Sequence, residues 1–124
     1  MREIKFRAKA LTGEWVYGNF IHSKRFEGCS NEFRIHDSET GIEHDIDIET
    51  LGQYTGLKDK YDNEIYEGSV CEYGYKHLDI YDKAVIVNKN GCFMFGNCTL
   101  AHLMVNDIDV GIIGNIHDNP ELLK

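Results

Sequence analysis

The stretch AVIVNKNGCFMFG, positions 84–96, strongly favours one local structure. Two short apolar runs flank Asn90-Gly91. A type I′ turn needs positive φ at both of its central residues, and Asn-Gly is the pair that best tolerates it. A hairpin closed at Asn90-Gly91 is therefore expected. Its first arm, Ala84 to Val87, is as long as any uninterrupted apolar run in the chain. A membrane-spanning helix needs about twenty such residues, so none is expected.

The same alternation recurs elsewhere. Ile4, Phe6 and Ala8 alternate with Lys5, Arg7 and Lys9; Thr12-Gly13 supplies a turn, and Trp15 to Ile21 runs back as a second strand. Asn31 to His36 offers Phe33 and Ile35 on one face. After Glu39-Thr40-Gly41, IEHDIDIE alternates from Ile42 to Glu49. That pattern predicts a return strand with Ile42, His44, Ile46 and Ile48 inward and Glu43, Asp45, Asp47 and Glu49 outward. Glu64 to Tyr73 reads as a strand containing Gly68, Thr99 to Val105 as one helical turn, and Asp107 to Ile113 as a last strand. Asn119 as cap, Pro120 at the first helical position and Glu121 in the first turn predict a short terminal helix or turn. The fold class is mainly β, built from antiparallel hairpins. No linker divides the 124 residues, which read as a single domain with amino-terminal hairpins over 1–52 and a second portion over 53–124.

QYTGLKDKYDNEIYEG, residues 53–68, mixes glycines, lysines and acids between aromatic residues. A phosphate-cradling loop gathers several glycines ahead of a helix. Here Thr55-Gly56 and Asp62-Asn63 read as two turns around an exposed knuckle, Lys58, Asp59 and Lys60, that leads into a strand. The stretch is read as a bend between strands.

Three segments together resemble the YopX family of small phage and prophage proteins: MREIKFRA at 1–8, QYTGLKDK with EIYEG at 53–68, and GNIHDNPELL at 114–123. Residues 22–50 and 74–108 carry little of the pattern. The chain also departs from it, with Lys9 and Ala10 where the family often has Trp and Asp, Ser69 where it commonly has Asp, and His117 where it often has Tyr. The resemblance implies a phage-encoded protein, mostly β, with an SH3-like barrel as part of its fold, and it brings no reaction with it.

Net charge is −8, which opposes the counterion release that drives phosphate-backbone binding. The charge is uneven: Arg2, Lys5, Arg7 and Lys9 open the chain, while residues 39–49 hold five acids and no Lys or Arg. Five tyrosines between 61 and 81 lie beside Lys58, Lys60, Lys76 and Lys83. Such a surface, with Lys58, Lys60 and Tyr66 as its candidates, could stack single-stranded bases, and Trp15 with Tyr17 raises the same question. Against it stands the ordinary habit of tyrosines to straddle core and water. Asp45 and Asp47 are the candidates for an acidic face that binds a cation or mimics DNA, weighed against a solvated strand face. Cys98 and His102, four apart, are a weak thiol–imidazole pair; buried small cysteines are the commoner meaning.

No catalytic set, cofactor or metal site is expected. The four cysteines, Cys29, Cys71, Cys92 and Cys98, are read as reduced thiols. The functional expectation is a non-enzymatic, self-associating interaction module in the bacterial cytoplasm, with a homo-oligomer as the first partner and a host or phage protein as another. A nucleic-acid-binding or DNA-mimic protein is the alternative.

Overall fold

The computed structural model describes residues 4–23, 26–28, 31–75, 80–95, 98–99 and 108–123. Its strands are antiparallel and form two compact units, residues 1–54 and 55–124.

In the first unit, β1 (Phe6–Lys9) pairs with β2 (Trp15–His22), Phe6 opposite Gly18 and Lys9 opposite Trp15. β3 (Phe33–His36) pairs with β2, and β4 (Glu43–Asp45) with β3. Alternation sends Ala8, Ala10, Val16, Ile35 and Ile46 into one core, bordered by Phe6, Phe20, Phe33 and Leu51. Gly18 stands at φ +152°, and a Cβ there would run into the His36 carbonyl oxygen. The backbones come this close only because the side chain is missing.

The predicted strand from Ile42 to Glu49 stops at Asp45. The Asp47 carboxylate accepts the Glu49 N–H at 3.1 Å and caps a single 3₁₀ turn, Ile48–Thr50. Thr50 Oγ1 donates to the Asp47 carbonyl at 2.6 Å and accepts the Lys9 N–H at 2.8 Å. Local side-chain bonds thus replace a ladder. Ile46 is buried as expected, but Ile42 is 52% and Ile48 37% exposed. The end of β4 instead meets the end of β1: Ala10 bridges Ile46, Leu11 N–H reaches the Asp45 carbonyl at 2.9 Å, and Asp47 N–H the Lys9 carbonyl at 2.9 Å.

β5 (Gly52–Lys58) begins in the first unit, where Gly52 and Gln53 pair with Arg7 and Phe6, and ends in the second. There β6 (Glu64–Tyr66) follows, and a sheet of order β10-β9-β8-β7-β11 is built from β7 (Ser69–Tyr75), β8 (Ile80–Lys89), β9 (Cys92–Phe95), β10 (Cys98–Thr99) and β11 (Asp109–Asn115). The β8–β9 hairpin closes where the sequence places it, with Asn90 at φ 55° and Gly91 at φ 84°. The stretch read as one strand from Glu64 to Tyr73 is two, split at Gly68 (φ 92°). Ile65, Cys71, Ile86, Phe93, Phe95 and Val110 form the core, and Tyr73 meets Phe95 edge-on at 4.3 Å.

A 3₁₀ turn, Pro120–Leu123, is the expected terminal helix or turn. Among the described residues no sheet closes into a barrel, which leaves the implied SH3-like barrel without support. The helical turn expected over 99–105 lies outside the described residues, apart from Thr99, which ends β10. Cys71 is buried, Cys92 exposed, and both are free thiols. No helix among the described residues is long and apolar enough to cross a membrane.

Candidate functional site

The segment between β5 and β6 is organised by one carboxylate. Asp59 Oδ1 accepts the N–H groups of Tyr61 and Asn63, both at 2.9 Å, while its own N–H donates to the Asn63 carbonyl. Oδ2 accepts the Ile112 N–H at 2.9 Å, and Lys60 N–H donates to the Val110 carbonyl at 3.0 Å. β11 pairs with β7 along its other side, so residues 59–62 cover its second edge. Unpaired strand edges invite association; this strap removes one.

Asp59 is therefore buried, at 7% exposure, and not part of an exposed knuckle. Burial works to raise its pKa, but the hydrogen bonds from Ile112, Asn63 and Tyr61 together outweigh it and hold the carboxyl below its ordinary value. An Asp opening a turn is a readable signal for its bonds to Tyr61 and Asn63. The bond to Ile112, 53 residues away, has no local signal.

On the strap lies a cation between two rings. Lys60 Nζ is 5.3 Å from the Tyr61 ring centroid and 5.7 Å from that of Tyr81, within cation–π range. Gly111 makes room for it: a Cβ there would meet Lys60 Cε at 3.3 Å. Tyr61 is 67% exposed. Lys58 pairs with Asp62 at 3.6 Å on the surface. Tyr66 is not part of this surface. It is buried, its N–H held by Ser69 Oγ at 3.3 Å and its hydroxyl donating to Glu64 at 3.0 Å. Tyr73 belongs to the core, and Lys76 lies outside the described residues. Lys60, Tyr61 and Tyr81 are the members of the predicted Lys–Tyr face that the structure brings together; Lys83 is exposed on β8.

Further along β8, period two places Val85 and Val87 on the face opposite the core residues Ala84 and Ile86. Val87 stands across from Met94 of β9 and is 41% exposed.

In the first unit, Trp15 carries two cations, Arg7 Cζ at 4.8 Å and Lys9 Nζ at 5.8 Å, while Lys5 Nζ lies 5.3 Å from the Tyr54 ring. Asp45 stands opposite Arg34 in the β3–β4 register. The Arg34 guanidinium reaches Glu43 at 3.3 Å and donates to the Ser23 carbonyl and hydroxyl. A cation thus lies against the acidic strand, and Asp47 is engaged as a cap. Asp45 also lines a pocket of about 240 Å³ with Ala10, Leu11, Thr12, Glu14, Glu43 and His44. Among the described residues no three His, Cys, Asp or Glu side chains are placed to hold a metal ion. The Cys98–His102 pair lies outside the residues whose side chains are described.

The segment GNIHDNPELL is also a turn builder. Asn115 Oδ1 accepts the His117 and Asp118 N–H groups at 3.0 and 2.9 Å. Gly114 has no space for a Cβ, which would sit 2.6 Å from Asn119 Oδ1 and 2.7 Å from Leu122 Cδ1. Ser69, at the position of the family's Asp, receives the Tyr66 N–H at a turn.

A family model described as YopX protein matches residues 5–124. The crystal structure of protein EF1440 from Enterococcus faecalis is similar over the full length of both chains, with a TM-score of 0.63 and 26% sequence identity. No curated protein matches the chain.

Proposed function

The chain belongs to the YopX family, and from that premise we propose that it is a phage-encoded, non-enzymatic interaction module that self-associates inside the bacterial cell. The outer face of the β8–β9 hairpin carries this reading. A strand apolar on both faces suits a sheet covered on both sides. Here Ala84 and Ile86 are packed, whereas Val87 stays open beside Met94. A second copy laid on this face removes apolar surface from water at about 25 cal/mol per Å², and the same patch on both copies makes a closed, two-fold pair. Light scattering over a range of concentrations tests it. Mass should rise with concentration for the native chain and stay monomeric for Val87→Lys; a native monomer throughout overturns the reading.

The Lys60 cluster supports a second reading, single-strand binding. Base stacking on an aromatic ring contributes about 1–3 kcal/mol per base, and exposed Tyr61 offers a ring. The net charge of −8 opposes it. Titration with labelled single strands at low and moderate salt separates the two readings, since phosphate contacts weaken steeply with salt; no binding at low salt removes this one. Use of the acidic strand as a DNA mimic loses support from the Arg34–Glu43 pair.

A further inference from the structure

We propose that Asn90 is a site of spontaneous deamidation, with solvent water as the only co-reactant. The chemistry needs the backbone nitrogen of the next residue to reach the side-chain amide carbon. Asn90 and Gly91 are both exposed at the tip of the β8–β9 hairpin. Gly91 brings no side chain to obstruct its nitrogen, and nothing lies within 4 Å of where a Cβ would be. Its N–H, whose proton must leave, points at Asn88 Oδ1 at 3.2 Å.

Other asparagines are placed less well. Asn115 has its side-chain oxygen engaged by the His117 and Asp118 N–H groups and its side-chain nitrogen by the Asp118 carboxylate. Asn31 donates to the Phe33 carbonyl and accepts its N–H. Asn119 precedes Pro120, which has no N–H to lose. The Asn90 amide has no such tie among the described residues.

The step balances as follows. Gly91 N bonds to Asn90 Cγ; the Cγ–Nδ2 bond breaks, and ammonia leaves with the amide proton. Water then opens the five-membered imide. Cleavage between Gly91 N and Cγ gives aspartate on an unchanged main chain. Cleavage between Gly91 N and the Asn90 carbonyl carbon routes the main chain through Cβ and Cγ, giving isoaspartate. Either product adds one negative charge at the hairpin tip, and isoaspartate lengthens a two-residue turn whose register, Lys89 opposite Cys92, depends on its length.

The test is peptide mapping by mass spectrometry of the intact, folded chain held in mildly alkaline buffer, with a parallel sample in urea and an Asn90→Ser control. Expected is the amide-to-acid mass gain at Asn90 severalfold ahead of that at Asn63 and Asn115 in the folded sample, with isoaspartate among the products and the gain lost in the control. Conversion of Asn90 in urea but not in the folded chain overturns the proposal, because the turn then holds the amide out of reach. Conversion at Asn63 or Asn115 that keeps pace with Asn90 overturns it as well.

Discussion

The two units cover their strand edges by different means. In the first, the end of β4 is met mainly by backbone, through Leu11 N–H to Asp45, Asp47 N–H to Lys9 and the Ala10–Ile46 bridge, with Thr50 Oγ1 accepting the Lys9 N–H beside them. In the second, half of the cover on β11 is a side chain, Asp59. Backbone cover accepts many sequences, because every non-proline residue brings the same donor and acceptor. Side-chain cover demands one residue type at one place. QYTGLKDK, one of the three segments that carry the family resemblance, contains the side-chain cover.

Asp59→Ala removes the side-chain cover of β11 outright. It leaves the N–H groups of Tyr61, Asn63 and Ile112 without their acceptor, and a buried donor left unsatisfied costs about 1–3 kcal/mol. A loss of about 3 kcal/mol in urea unfolding is expected, with new concentration-dependent association at the bared β11 edge. A loss below about 1 kcal/mol would mean the strap is incidental. The charge matters as well. The folded pKa of Asp59 lies below its ordinary value of 3.8, so its contribution is fully present above that pH and is lost as pH falls through the folded value. The gap in urea midpoint between the native chain and Asp59→Asn should accordingly be steady near neutrality and shrink only in acid.

Gly18→Ala probes the first unit by geometry alone. The new Cβ meets the His36 carbonyl, and overpacking of this kind costs about 2 kcal/mol. No charge is involved, so the deficit should be equal at neutral and acid pH. A deficit that follows pH as Asp59→Asn does would erase the distinction between the units.

The same division decides what the sequence could show. The β1–β2 and β8–β9 hairpins were legible because period two and a turn pair are local. The end of β4 was not: Ile46 and Ile48 continue the alternation, and only the Asp47 and Thr50 side-chain bonds stop the strand. Burial of Asp59 was hidden as well, because Lys58 and Lys60 on either side mark an exposed bend, while the acceptor's third donor comes from Ile112. At the candidate surface, composition grouped tyrosines that the pleat then separates, Tyr66 and Tyr73 to the core and Tyr61 and Tyr81 around Lys60. Asp47→Ala tests the missed strand end: loss of a cap costs about 1 kcal/mol, and the deficit should be visible in the same urea series.

The smallest expected effect lies next to the largest. Lys58 adjoins Asp59 and pairs with Asp62 at 3.6 Å, but both side chains are open to water, 48% and 85% exposed. Solvent screening and the entropy of holding two long side chains leave such pairs at about 0–1 kcal/mol. Lys58→Ala should therefore shift the urea midpoint by the equivalent of about 0.5 kcal/mol or less, although it removes a charge from one of the segments that resemble the family. If it instead matches Asp59→Ala, the strap is held by charge at the surface and not by a buried acceptor, and the contrast between the units fails at its origin.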